Sequence, residues 1–135
     1  MKGIYVLIIQ LSEDIAVNVG AIGKITFKKG LYAYVGSAQT NLEKRIGRHF
    51  RKDKSKFWHI DYLLDNDAAK IAKVFFKNEN KTAECTIAKA ISEKGELIRD
   101  FGCSDCNCNS HLFYICDYSF LQETMQVFPY EKRLV

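Results

Sequence analysis

Proline is almost missing from this chain: Pro129 is the only one. There is also no Gly/Ser-rich stretch, no internal repeat and no low-complexity segment, so nothing marks a linker or a domain boundary. The 135 residues therefore read as a single domain, 1–135, large enough for a real core and too small for two. A long apolar run is lacking as well. The start "MKGIYVLIIQLSED" is broken by Gln10 and then by acidic residues. It falls far short of the roughly 20 apolar residues that cross a bilayer, and no small-residue cleavage site follows. The expected setting is cytoplasmic, with no membrane partner. Nor is there a large charge excess: 20 Lys and Arg stand against 16 Asp and Glu, a net charge of +4. That permits an anionic partner without requiring one. The 5 cysteines are odd in number, and with no secretion signal a disulfide framework is not expected.

What is present is a β-rich pattern with helices between strands. "GIYVLIIQL" is continuously apolar and rich in β-branched residues, which predicts a central strand at about 3–11. Glycines at 20, 23, 30 and 36 punctuate short β-prone runs and predict two further strands near 24–28 and 31–36. In "GLYAYVG" the two-residue period puts Tyr32 and Tyr34 on one face. A helix follows, with Thr40 as its cap, Glu43 completing a capping box, and Leu42, Ile46 and Phe50 as an apolar stripe. Arg45 and His49 share a neighbouring face of that helix. "KFWHIDYLLDND" predicts a short helix, "AKIAKVFFKN" a strand, and "NKTAECTIAKAISEKG" a helix capped by Thr82 and stopped by Gly95. Ala83, Ile87, Ala90 and Ile91 are its expected inward residues. "ELIRDFG" and "HLFYICDY" complete the strands, and a short helix begins near 119. The expected class is α+β, a small central sheet flanked by helices.

Several of these residues suit phosphodiester chemistry. An arginine offers a fixed positive fork to a phosphate. A lone carboxylate can hold a divalent cation that stabilises a leaving oxyanion. A tyrosine or histidine can orient a water and take its proton. Each also has an ordinary reading. Strand tyrosines are commonly packing residues, helical Arg and His a solvated face, and a first-turn glutamate a partner for the helix dipole.

The order of the motifs adds to this. Gly3-Ile4-Tyr5 on a first strand, Tyr34-Val35-Gly36 on a later one, a helix bearing Arg45, and Glu84 opening a further helix resemble the GIY-YIG nuclease superfamily. The segments "YVGSA", "RH", "WHIDYL", "EC" and "SDC-x-C-x-SHLFY" resemble most closely a prokaryotic branch of that superfamily with no assigned function. The likeness runs from Gly3 to about Tyr114. It implies a GIY-YIG-type sheet and catalytic roles for Tyr5, Tyr34, Arg45, His49 and Glu84. Glu84 would be the carboxylate that holds Mg²⁺ or Mn²⁺. Two departures stand out. The stretch between the two tyrosine strands is long enough for an extra hairpin, and Ser37 occupies a position where many of these nucleases carry lysine.

Two segments leave alternatives open. "CSDCNCNSHLFY" supplies Cys103, Cys106, Cys108 and His111, of which Cys106, Cys108 and His111 are the better Zn²⁺ ligands, with Cys85 another candidate. The other reading is a reduced, buried cysteine loop that shapes a wall of the site. In "FWHIDYLL", His59 and Asp61 are further site candidates, whereas Trp58 and Ile60 read as core.

The leading functional expectation is a metal-dependent endonuclease, a hydrolase acting on branched or damaged DNA in repair or recombination. Lys44, Arg48, Arg51, Lys52 and Lys54 would form its DNA-binding surface. The alternatives are a nucleic-acid-binding module with little or no cleavage, toward which Ser37 weighs, and a zinc-stabilised interaction domain. Retention of Glu84 weighs toward cleavage, because a pure binder has no use for a carboxylate beside phosphate.

Overall fold

A computed structural model describes residues 2–129 other than 53, 57, 99–100 and 102–109. The architecture is α+β. Its elements run β1 (Gly3–Leu11), β2 (Ile15–Val19), β3 (Gly23–Phe27), β4 (Gly30–Ala38), α1 (Leu42–Phe50), α2 (His59–Leu64), β5 (Ala69–Lys77), α3 (Ala83–Ser92), β6 (Gly95–Leu97), β7 (Leu112–Ile115), α4 (Ser119–Gln122) and β8 (Gln126–Val127). Six strands form one antiparallel sheet in the order β6-β7-β4-β1-β5-β8, while β2 and β3 pair as a separate hairpin.

The continuous apolar run of β1 is explained by its place. It lies between β4 and β5, with both faces covered, so its side chains have no solvent side on which to alternate. Tyr5, Leu7, Ile9 and Leu11 point to a core shared with α1, α2 and the hairpin. Ile4, Val6 and Ile8 point to a second core under α3 and α4. The hairpin fills the long stretch between the tyrosine strands and packs its apolar residues on the first of these cores.

β1 and β4 pair so that Tyr5 lies opposite Gly36 and Leu7 opposite Tyr34. The glycine has a steric cause: a Cβ at Gly36 would stand 2.5 Å from Cζ and Oη of Tyr5. Only a bare backbone lets the phenol lie across its neighbour strand at that height.

α1 begins one residue later than the sequence suggests. Asn41 is the cap, its side chain accepting from the Lys44 N–H at 2.9 Å. With Asn41 as the cap, Glu43 stands one position too early to close a capping box. Leu42 and Ile46 are fully buried beneath the sheet, which stabilises this placement by on the order of 3–6 kcal/mol. In α3 the buried residues are Ala88 and Ile91, whereas Ala90 is exposed and Ala83 and Ile87 only half-buried. The helix rolls so that Ala88, not Ala90, meets the sheet.

Candidate functional site

At one end of the β1–β4 pair, Tyr5 Oη stands 2.7 Å from His49 Nε2. Both side chains are buried. The imidazole lies within a box of rings, with centroids 5.4 Å from Tyr5, 6.1 Å from Tyr34 and 5.9 Å from Trp58. Burial lowers the His49 pKa to about 3, Asp61 opposes the shift, and the cations Lys54, Arg48 and Arg45 add to it. The ring is therefore neutral at physiological pH. Among the described residues, its buried Nδ1 has no hydrogen-bond partner. Burial also raises the Tyr5 phenol well above its ordinary value, while the adjacent Arg45 pulls it back. Tyr34 is pushed up for the same first reason. Tyr34 is itself buried, 7% exposed, and its hydroxyl has no hydrogen bond among the described residues.

Ser37, near the end of β4, ties the remaining groups together. Its carbonyl accepts from Arg45 Nη1 at 2.9 Å, and its hydroxyl donates to Glu84 Oε1 at 3.0 Å. The body of α3 packs on the face opposite Tyr34, through Ala88 and Ile91. Its first turn nevertheless brings Glu84 to this end of the sheet, where its charge helps raise both Tyr5 and Tyr34. The other Glu84 oxygen lies 3.0 Å from His111 Nδ1. Tyr5, His49, Arg45, Ser37, Glu84 and His111 thus form one linked set, although β1, β4, α1, α3 and the residue before β7 supply them separately.

Trp58 is more than core. Its ring carries the Arg45 guanidinium at 4.5 Å and that of Arg48 at 4.4 Å from the centroid, an aromatic platform for both cations. Arg48 makes a two-pronged pair with the buried Asp61, at 3.0 and 3.1 Å, and donates to the Ser55 carbonyl. Asp61 in turn accepts from the Trp58 N–H at the start of α2. Asp61 is therefore a brace for Arg48 and for Trp58. His59 stands one ring away from the set, tilted on Phe101, which meets Tyr34 edge-on; burial lowers its pKa.

The basic residues of α1 divide into two groups. Lys44, Arg45, Arg48 and Arg51 line a cavity of about 240 Å³ together with Thr40 and Asn41. Lys52 instead donates to the Leu64 carbonyl, and Lys54 to the carbonyls of Arg51 and His49. These two satisfy chain ends that the helix leaves open.

A divalent cation needs a carboxylate with free lone pairs and access to water. The Glu84 side chain keeps 12% exposure, and each oxygen, with Ser37 on one and His111 on the other, keeps a lone pair to spare. That fits a hydrated Mg²⁺ or Mn²⁺ held by one protein group. Among the described residues no group of three or more His, Cys, Asp or Glu forms a metal cage. Cys103, Cys106 and Cys108 lie outside the described residues, so the zinc expectation meets only His111 here, and its Nδ1 faces Glu84. Cys85 is disulfide-bonded, against the expectation from the missing secretion signal, and Cys116 is free.

The sequence left three features unread: the Trp58 platform, the Arg48–Asp61 brace and the His111–Glu84 contact. Only the last had a local signal, in the adjacent "SHLFY". Among the described residues no helix is long and apolar enough to cross a membrane. No curated protein and no solved structure matches the chain. One family model does, over residues 4–131, and the chain accordingly belongs to the family described as a domain of unknown function, DUF123.

Proposed function

We propose that this protein is a divalent-metal-dependent endonuclease that hydrolyses DNA phosphodiester bonds with a GIY-YIG-type site. The observation that carries the reading is the linked set at the end of β1 and β4. There, a proton pair (Tyr5 and His49), a positive fork (Arg45) and a solvent-reaching carboxylate (Glu84) meet around Ser37.

Each group has a task that its surroundings suit. Arg45, stacked on Trp58 and bonded to the Ser37 carbonyl, is held in advance to receive a phosphate. Tyr5 is too high in pKa to be a phenolate by itself. Its hydroxyl, directed at neutral His49 Nε2, can accept a proton from an attacking water while passing its own to the imidazole. A phosphate docked on Arg45 offsets part of the positive charge that depresses His49, so the bound substrate restores some of its basicity. Tyr34, whose ring meets His49 edge-on, offers a hydroxyl without a hydrogen bond among the described residues to orient that water. Glu84 would hold the cation, which supplies charge stabilisation at the leaving oxygen.

The test is incubation of purified protein with plasmid and with branched DNA, in Mg²⁺, in Mn²⁺ and in EDTA. The expected result is metal-dependent cleavage by the parent, lost to roughly a hundredfold or more in Glu84→Gln, with DNA binding within a few-fold. Equal cleavage by parent and Glu84→Gln would remove the metal role. A second reading, a DNA-binding module with little cleavage, is favoured by Ser37 and by the Glu84 oxygens both already engaged. Binding without cleavage in every metal would select it.

A further inference from the structure

His111 is a buried imidazole, 2% exposed, that meets the carboxylate proposed to hold metal. Its place is set by the main chain on two sides. Its N–H donates to the Phe101 carbonyl at 2.9 Å, and its carbonyl accepts from the Val35 N–H, also at 2.9 Å. Ser110, just before it, is buried too, and its hydroxyl accepts from the Leu112 N–H at 3.0 Å. The ring therefore projects from a fixed backbone just before β7. At 3.0 Å the contact is within hydrogen-bond reach, and an ionised carboxylate only accepts, so a proton shared there comes from His111 Nδ1.

Glu84 has several rotatable bonds and a competing partner. The Lys81 ammonium, exposed on the turn before α3, lies 3.8 Å from Oε1. Ser37 alone holds only one oxygen and leaves the other free to swing. With Ser37 from β4 and His111 just before β7, each oxygen has its own buried-side partner. The lone pairs that remain then share the end of the sheet with Tyr5 and Arg45.

We propose that His111 is a positioning residue for Glu84, fixing the carboxylate in its cation-binding orientation, with Ser37 as its partner. This rests on the reading of Glu84 as the metal ligand, and outer partners of metal ligands typically alter metal affinity by about 10–100-fold.

The experiment measures Mn²⁺ binding by electron paramagnetic resonance on the full chain without DNA, alongside cleavage as a function of Mn²⁺ concentration. His111→Leu should weaken Mn²⁺ binding by roughly tenfold or more. Its cleavage should need correspondingly more metal and approach the parent rate at saturation. His111→Asn, whose amide N–H can replace Nδ1–H, should recover most of the affinity. His111→Gln carries the comparison if leucine abolishes the thermal unfolding transition; it is polar but places its amide elsewhere, and should bind as weakly as expected for leucine. Folded His111→Leu or His111→Gln with parental Mn²⁺ affinity overturns the inference while leaving Glu84 in place. Parent protein that binds no Mn²⁺, or binds it unchanged in Glu84→Gln, overturns the reading of Glu84 and the inference with it.

Discussion

Tyr5 and His49 are 44 positions apart in sequence and share one buried hydrogen bond of 2.7 Å. The contact joins the central strand to α1. It pairs a phenol with a neutral imidazole, so a proton can pass between the two rings.

Tyr5→Phe should therefore lower cleavage by about a hundredfold or more, the usual range for losing a positioned proton-transfer group. DNA affinity should stay within a few-fold, because the hydroxyl faces His49 rather than the cationic cavity. Single-turnover cleavage and a binding titration on the same samples separate the two. Parental cleavage by Tyr5→Phe would end the proton-relay role.

The neutral, buried His49 also makes stability depend on pH. Its pKa is depressed to about 3 in the fold, against about 6.5 when unfolded. Between these values the unfolded chain binds a proton that the folded chain does not. Stability from this group is thus fully present above about pH 6.5 and is lost as pH falls toward 3, with a limiting slope of about 1.4 kcal/mol per pH unit. Urea unfolding of the parent and of His49→Gln at steps from pH 8 to pH 4 should show this slope in the parent and lose it in the variant. Parallel curves would mean that the imidazole is not buried neutral.

How much of this was legible follows physical lines. Tyr5, Gly36 and Tyr34 belong to strands whose pattern is local, and their pairing follows from two-residue periodicity. The α1 start was misplaced by one residue because Thr40 and Asn41 are both good caps, and only the tertiary position of Leu42 chooses between them. Ala88 replaced Ala90 in the α3 core because alanines carry almost no directional signal. Lys52 and Lys54 look in sequence like more of the same basic surface as Lys44. Their ammonium groups turn inward because the ends of α1 and α2 leave carbonyls unsatisfied, a long-range fact no charge count reveals. His111 lay hidden in a segment dominated by cysteines, and Trp58 could show itself as a platform only once two arginines from another element stood over it.

Arg48 and Asp61 provide a contrast of buried and exposed ion pairs within one protein. Asp61→Ala strips the partner from a largely buried guanidinium and removes the brace at Trp58. It should cost about 3–5 kcal/mol. Lys56→Ala breaks a pair with Asp65 whose members are 40% and 51% exposed, and should cost at most about 1 kcal/mol. Urea midpoints with unchanged m-values decide both. If the two variants cost the same, the Arg48–Asp61 pair contributes no more than a surface contact.

The division of the basic residues gives a sharper test of the DNA surface than its total charge does. Lys44 and Arg51 line the cavity beside Arg45 and Arg48, and the Lys44 ammonium has no ion pair or hydrogen bond among the described residues. Lys52 and Lys54 instead close carbonyls within the fold. Binding is to be followed by the emission of the single tryptophan, Trp58, whose ring bears both cavity arginines. Each phosphate neutralised adds about 0.9 to the slope of log affinity against log salt for duplex DNA. Lys44→Ala with Arg51→Ala should reduce that slope by about 1 to 2 and weaken binding to all sequences alike. Lys52→Met with Lys54→Met should leave the slope near the parental value and lower the unfolding midpoint instead. A parent affinity that does not change with salt would remove the phosphate track altogether. A slope that falls for Lys52→Met with Lys54→Met but not for Lys44→Ala with Arg51→Ala would move the DNA surface to the far end of α1.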